Sequence, residues 1–287
     1  PFKVDKPTQE INNKLFLGFS GDIKSTKVTA KNNGKEIPIK LTKLSEKTKD
    51  SLQIFFPLSI KDSLEISIEN GTYSKQFTSK LKNFKEADSL SIENKTGNVL
   101  SFRNSFILKT KTPLNSIDES KIFIRKKDST LVKFTSKYDE FNQEIAFDFT
   151  KEEDQKYLME ILPGAIKDFY DTSNDSIKFD FSTRLLSDYG NLKINLIGAK
   201  RFPLILEILD NSGEVLYSQT PTKETSLMFE TIEPKLYTLR VIYDDNANGI
   251  WDTGDYLAKK QAEEIIYFQK QVDVRANWDV EQEFGLD

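Results

Sequence analysis

Cysteine and histidine are both absent from the 287 residues, and these two absences remove most of the chemistry open to a protein of this size. Without a thiol there is no disulfide framework and no cysteine nucleophile. Without an imidazole there is no Ser-His-Asp or Cys-His triad and no zinc site of ordinary ligand set. Catalysis would be left to paired carboxylates, lysine, tyrosine or a hard metal ion. No run approaches the roughly 20 apolar residues of a membrane-spanning helix. Charge of one sign is missing too: 41 basic residues stand against 45 acidic ones for a net charge of −4. The two signs are interspersed, so no nucleic-acid partner is expected. Long helical patterns are lacking; the candidates are one or two turns near residues 151–155 and 165–170. The start, Pro1-Phe2-Lys3, has no signal-peptide pattern and reads as that of a trimmed or mature fragment, with any export signal or lipid-anchor cysteine expected upstream.

What is present is a period of two. Leu64, Ile66 and Ile68 alternate with Ser63, Glu65 and Ser67, and the same pattern recurs at Ile145, Phe147 and Phe149, at Ile177, Phe179 and Phe181, and at Leu192, Ile194 and Leu196. Such segments are half-buried strands with one face inward. Turn signals separate them: Asn33-Gly34, Asn70-Gly71, Asn142-Gln143, Ser212-Gly213 and Asn248-Gly249 suit hairpins. The 21 Phe and 10 Tyr supply large apolar faces for thin inter-sheet cores. The fold class is therefore all-β, as tandem β-sandwich modules.

The length predicts two or three domains, drawn as a β-rich module at 1–85, a sandwich at 86–187 and a further sandwich at 188–287. The polar stretch Asn83 to Asp88 is the first junction. No Pro/Gly/Ser-rich linker separates the segments, which predicts modules that abut into a stiff rod. The ends of the third segment read as paired edge strands.

One stretch carries chemistry. Counted from Asp244, side-chain oxygens fall at positions 1, 3, 5, 9 and 12 as Asp244, Asn246, Asn248, Asp252 and Asp255, with Gly249 at position 6 and the Ile250 carbonyl at position 7. This is the spacing of a calcium loop, in which alternate side chains point into one concavity and the ion gathers six to eight oxygens. Two features depart from an EF-hand: Tyr237 to Tyr243 alternates like a strand, and position 12 is Asp rather than a bidentate Glu. The competing reading is an Asp/Asn/Gly turn closed by side-chain-to-backbone hydrogen bonds alone. Trp251 is expected to pack beside the loop. Glu152, Glu153 and Asp154 form a carboxylate cluster that reads as a solvated connector; a glycosidase would need two carboxylates flanking a cleft. No catalytic residue is assigned, and the chain is not expected to be an enzyme.

The middle segment resembles the bacterial Ig-like domain of surface-layer proteins, on Lys111-Thr112-Pro113-Leu114, Ile117-Asp118, Ser120-Lys121-Ile122, Asp128-Ser129, the run Leu162 to Phe169, Asn174-Asp175 and Phe179-Asp180-Phe181. The third resembles the ends of Ig-like-domain lipoproteins of Bacteroidota, on Arg201-Phe202-Pro203, Asp210 to Val215, Pro234 to Val241, Asp244 to Asp252 and Val274 to Asp279. The resemblance implies Ig-like modules followed by a prealbumin-like domain, in a lipoprotein of the outer membrane or cell surface, or on its periplasmic side. In such prealbumin-like repeats the calcium loop stiffens a strand connection. The expected role is a non-catalytic structural or interaction module, held to the membrane by a lipid anchor outside this fragment and docked on another envelope protein. A carbohydrate-binding surface protein is the alternative; an exposed coplanar set including Trp251, Trp278 or Tyr256 would favour it, and burial of both tryptophans would count against it.

Overall fold

The computed structural model describes residues 2–23, 25–45, 50–254 and 259–286. Among these residues the regular structure is β-strand with two single-turn 3-10 helices, Glu119–Lys121 and Leu186–Asp188. The chain divides into two compact units, Pro1–Thr183 and Arg184–Asp287.

The first unit holds two sandwiches. In the first of them, Lys3–Val4, Lys14–Ser20, Asp50–Phe55 and Lys40–Ser45 form one sheet, with Thr8–Ile11 paired to Lys14–Ser20. Lys35–Glu36, Lys27–Asn32, Ser63–Asn70 and Tyr73–Lys80 form the other. The alternation dictates the core: Leu15, Leu17, Leu52, Ile54, Leu64, Ile66 and Ile68 are buried between the sheets in one cluster. At Asn33-Gly34 both residues have positive φ, 50° and 75°, as a primed hairpin turn requires.

The second sandwich pairs a sheet of Ile92–Asn94, Phe106–Thr110, Glu144–Phe149 and Phe134–Asp139 with one of Leu131–Val132, Ile122–Lys126, Lys156–Ile161 and Ile177–Ser182. Its core is aromatic. Phe181 lies 4.3 Å from Phe106 and 5.4 Å from Tyr157, both in stacked geometry. Ile177 and Phe179 are half-buried against this cluster.

The short helical candidates do not form. Residues 165–170 give the strand Ile166–Asp168, paired with Leu114–Ile117, followed by a turn. The Asn174 side chain takes the Ile166 N–H at 2.7 Å, and Ile166 and Asp168 point inward while Lys167 points out, a period of two rather than 3.6. Residues 151–155 make an exposed turn with Asp154 at φ 47°.

Between the two sandwiches, the stretch Asn83 to Asp88 is irregular yet pinned. Asn12 Oδ1 accepts the Phe84 N–H at 2.6 Å, and the Asn13 amide bonds both the N–H and the carbonyl of Asp88, at 3.1 and 2.8 Å. The Asp88 side chain is 6% exposed. Its Oδ2 meets Lys14 Nζ at 2.5 Å as an ion pair outside hydrogen-bond geometry, and Oδ1 meets Lys111 at 2.8 Å. That carboxylate raises the Lys111 pKa above its ordinary value. Lys14 also donates to Gln53 at 2.7 Å and lies over the Phe16 and Phe55 rings. Tyr170 of the second sandwich donates to the Asn13 carbonyl at 2.9 Å, and Lys40 of the first pairs with Glu140 of the second at 2.6 Å.

The second unit is a third sandwich. Its smaller sheet is Ser226–Ile232, Gly190–Ile197 and Asp279–Gly285. The two ends of the unit pair in parallel, Asn191 opposite Asp279 through Ile197 opposite Gly285. Of these two paired strands the C-terminal one is an edge and Gly190–Ile197 is central, between it and Ser226–Ile232, which suits its strict burial of Leu192, Ile194 and Leu196. The larger sheet is Val215–Gln219, Leu204–Leu209, Leu236–Tyr243 and Ile265–Tyr267, with Val272–Asp273 also on Leu236–Tyr243.

Asp88→Ala would leave the Lys14 ammonium buried without its counter-charge. Breaking one side of such a pair costs about 3–5 kcal/mol, so urea unfolding followed through the first unit is expected to lose that amount, with the second unit unchanged.

Candidate functional site

The loop after strand Leu236–Tyr243 is built from the inside outward. Asp244 is buried, its N–H donating to the Pro203 carbonyl at 3.2 Å. Its two carboxylate oxygens accept the N–H groups of Asn248 and Gly249 at 3.0 and 2.8 Å. Asn246 Oδ1 accepts the Asn248 N–H at 3.0 Å, and Asn248 Oδ1 accepts that of Ile250 at 2.9 Å. These are successive Asx turns, and they curl the chain so that Ala247 and Gly249 take positive φ, 57° and 76°. On the inner side, Asp252 Oδ2 accepts from the amides of both Asn246 and Asn248, the latter at 2.9 Å.

Four of the side chains singled out in the sequence are thus brought together: Asp244, Asn246, Asn248 and Asp252. Ile250 enters through its N–H, and Asp255 and Tyr256 lie outside the described residues. The donor set is oxygen of the hard kind that calcium takes. Its charge is low, however: among the described residues no three acidic side chains stand close enough to hold a metal ion together. The same four side chains close the loop through hydrogen bonds and supply the oxygens an ion would use.

One residue of the site has no place in the loop motif. Glu263 is buried, and its Oε1 and Oε2 accept the N–H groups of Asp245 and Asp252, each at 2.9 Å. A single carboxylate therefore ties the loop's entry to its exit, and the Glu263 N–H returns to the Asp252 carbonyl at 3.1 Å. Its only sequence signal is an acidic pair, Glu263-Glu264, directly before the strand Ile265–Tyr267. Outside, Arg201 grips Asp245 with two bonds, 2.6 and 3.2 Å, bonds Glu264 at 3.2 Å and stacks 4.1 Å from the Tyr243 ring centroid. Arg201 beside it holds the Asp245 carboxyl below the usual carboxylate range.

Trp251 does pack beside the loop, its Nε1 donating to the Glu263 carbonyl at 3.2 Å, but the residue remains 43% exposed. Trp278 is 56% exposed, with the Arg275 guanidinium over its ring at 5.2 Å. Glu152, Glu153 and Asp154 all lie on an exposed turn, and Glu152 pairs with Lys126. Among the described residues no helix is long and apolar enough to cross a membrane.

Glu263→Ala removes the acceptor of the Asp245 and Asp252 N–H groups, and a hydrogen bond to a charged group contributes about 1.5–3 kcal/mol. Denaturant unfolding of the second unit is expected to fall by about 3 kcal/mol, and by less in Glu263→Gln, which keeps one acceptor. The Asp245–Arg201 pair has a pH signature. The folded carboxyl has the lower pKa, so the pair's contribution is complete above about pH 4 and is lost as pH falls below it. The stability difference between the native chain and Arg201→Ala, measured from neutral pH downward, is expected to shrink over that acid range.

No family model matches the chain, and no curated protein matches it. Solved structures are similar to it at low identity and low TM-score. A tandem of titin domains is 13% identical, covering 84% of this chain and 91% of that one with a TM-score of 0.22. A protein of the mixed-linkage glucan utilization locus of Bacteroides ovatus, solved with a mixed-linkage heptasaccharide, is 12% identical, covering 92% and 69% with a TM-score of 0.25. The major pilin subunit of Bacillus cereus is 10% identical, covering 91% and 94%, also with a TM-score of 0.25.

Proposed function

We propose that this chain is a non-catalytic structural and interaction module of a cell-envelope protein, and that the loop from Asp244 to Asp255 closes around a calcium ion. The observation that carries the calcium reading is that three of the oxygen-bearing side chains meet above the buried Asp244, the amides of Asn246 and Asn248 both donating to Asp252 Oδ2. The oxygens of Asp244, Asn246 and Asn248 are held by backbone N–H groups, and an ion would take the place of the two amide groups that now meet Asp252. Two loop carboxylates offset a divalent charge, and Asp255 would add a third. The ion would stiffen the connection between the strands Leu236–Tyr243 and Ile265–Tyr267, without a switch. Support for the non-catalytic part is the lack of His and Cys together with the solvated state of the Glu152–Asp154 cluster. The envelope placement, the lipid anchor outside the fragment and docking on another envelope protein rest on the resemblance to Bacteroidota surface lipoproteins.

Carbohydrate binding is the second reading, and the exposure of both tryptophans favours it; aromatic faces left in solvent suit the apolar faces of sugar rings.

Thermal unfolding in calcium and in chelator tests the first reading. A ligand at a hundredfold excess over its Kd stabilises by about 2.7 kcal/mol, expected in the second unit alone. Asp252→Ala is the cleaner variant, because Asp244→Ala also frees two backbone N–H groups whether or not an ion binds. Loss of the calcium response in Asp252→Ala is the expected outcome. An intact chain with the same transition in both solutions would leave a hydrogen-bonded turn and end the calcium reading.

A further inference from the structure

A cleft of about 540 Å³ opens between the two sandwiches of the first unit. That volume lies within the roughly 300–1,000 Å³ range of small-ligand sites, which favour the clefts between domains. Its apolar wall combines Pro57 and Leu58 of the first sandwich with Phe169 and Tyr170 of the second. Leu58 is 47% exposed, an apolar side chain left uncovered at the mouth.

The aromatic pair is firmly mounted. Asp168, fully buried, accepts the Thr112 hydroxyl and the N–H groups of Tyr170 and Thr172, each at 2.9 Å. Phe169 donates its N–H to the Pro113 carbonyl at 2.8 Å, and the two rings meet edge to face at 5.2 Å. The Tyr170 hydroxyl is already bonded to Asn13, so this ring offers its surface rather than its polar tip. At the end of the turn Asp171 takes a positive φ of 63°, a conformation held here by its neighbours.

Ser59, Asn115 and Asp171 stand on the rim, exposed, and among the described residues no hydrogen bond engages their side chains. Lys40 also lines the cavity but is paired with Glu140. An apolar aromatic wall beside uncommitted hydroxyl, amide and carboxylate groups, without surplus positive charge, matches a ligand with apolar ring faces and a hydroxyl edge. It does not match a phosphate or a nucleic acid, which needs cations, or a lipid chain, which would leave the rim unsatisfied.

We propose that this cleft binds a neutral oligosaccharide of pyranose rings with equatorial hydroxyls, its rings against Phe169 and Tyr170 and its hydroxyls on Ser59, Asn115 and Asp171. The inference rests on the carbohydrate reading and gives it a site apart from both tryptophans.

Calorimetric titration of the whole chain with cellohexaose and with xylohexaose, up to about 5 mM, tests it. The native chain is expected to bind at least one of them. Phe169→Ala is expected to weaken binding at least about tenfold. Leu58→Ala and Asn115→Ala, both at exposed side chains where folding is not at stake, are expected to weaken it severalfold, while Trp251→Ala and Trp278→Ala leave it unchanged. Binding that survives the cleft variants and is lost in a tryptophan variant overturns the cleft as the site and leaves the carbohydrate reading standing. Binding of neither oligosaccharide overturns both.

Discussion

Buried carboxylates and amides that take up backbone N–H groups are what the loops of this protein depend on. A thin sandwich satisfies the backbone within its ladders, but every chain crossing between sheets carries polar groups toward the interior, where an unpaired one is costly. Here the partner is repeatedly a short acidic or amide side chain. Asp168 holds the turn from Tyr170 to Thr172, Asn174 holds the start of Ile166–Asp168, and Asp244 with Glu263 holds the loop to Asp252. Asn12 and Asn13 do the same for the segment that joins the first two sandwiches. With no disulfide available, these side chains fix the connections.

Both functional proposals stand on loops made this way. The concavity at Asn246, Asn248 and Asp252 exists because Asp244 and Glu263 fix the backbone beneath it. The aromatic wall of the cleft exists because Asp168 fixes the turn that bears Phe169 and Tyr170. At the cleft the buried anchor, Asp168, is separate from the exposed groups that would meet a ligand, whereas in the loop Asp244 is both an anchor and a candidate ligand and Glu263 is an anchor alone.

The strands were legible in the sequence wherever one face is buried, because a period of two states which side chains enter the core: Leu64, Ile66 and Ile68 and then Leu192, Ile194 and Leu196 all do. The loop motif was legible as a spacing, since its side chains lie within twelve consecutive residues, Asp244 to Asp255. Glu263 was not, because it closes the loop from beyond any local register, and nothing in an isolated Glu distinguishes a buried clamp from a solvated charge. The cleft was invisible for the same reason: residues near 39, 57, 115 and 170 meet only after two sandwiches dock. The run from Ala165 to Tyr170 reads as helical because its four apolar residues, Ala165, Ile166, Phe169 and Tyr170, are spaced for one helix face, and the tertiary partners Asn174 and Pro113 decide for the strand and turn.

The claim that buried carboxylates order the exposed loops is tested most directly by native-state hydrogen exchange at single-residue resolution, without metal or ligand. The amides of Asp245, Asn248, Gly249 and Asp252, and of Tyr170 and Thr172, are predicted to exchange about a hundredfold or more slowly than in an unstructured chain, although they lie in loops. Exchange of these amides at unprotected rates, with the neighbouring strand Leu236–Tyr243 still protected, would contradict the account.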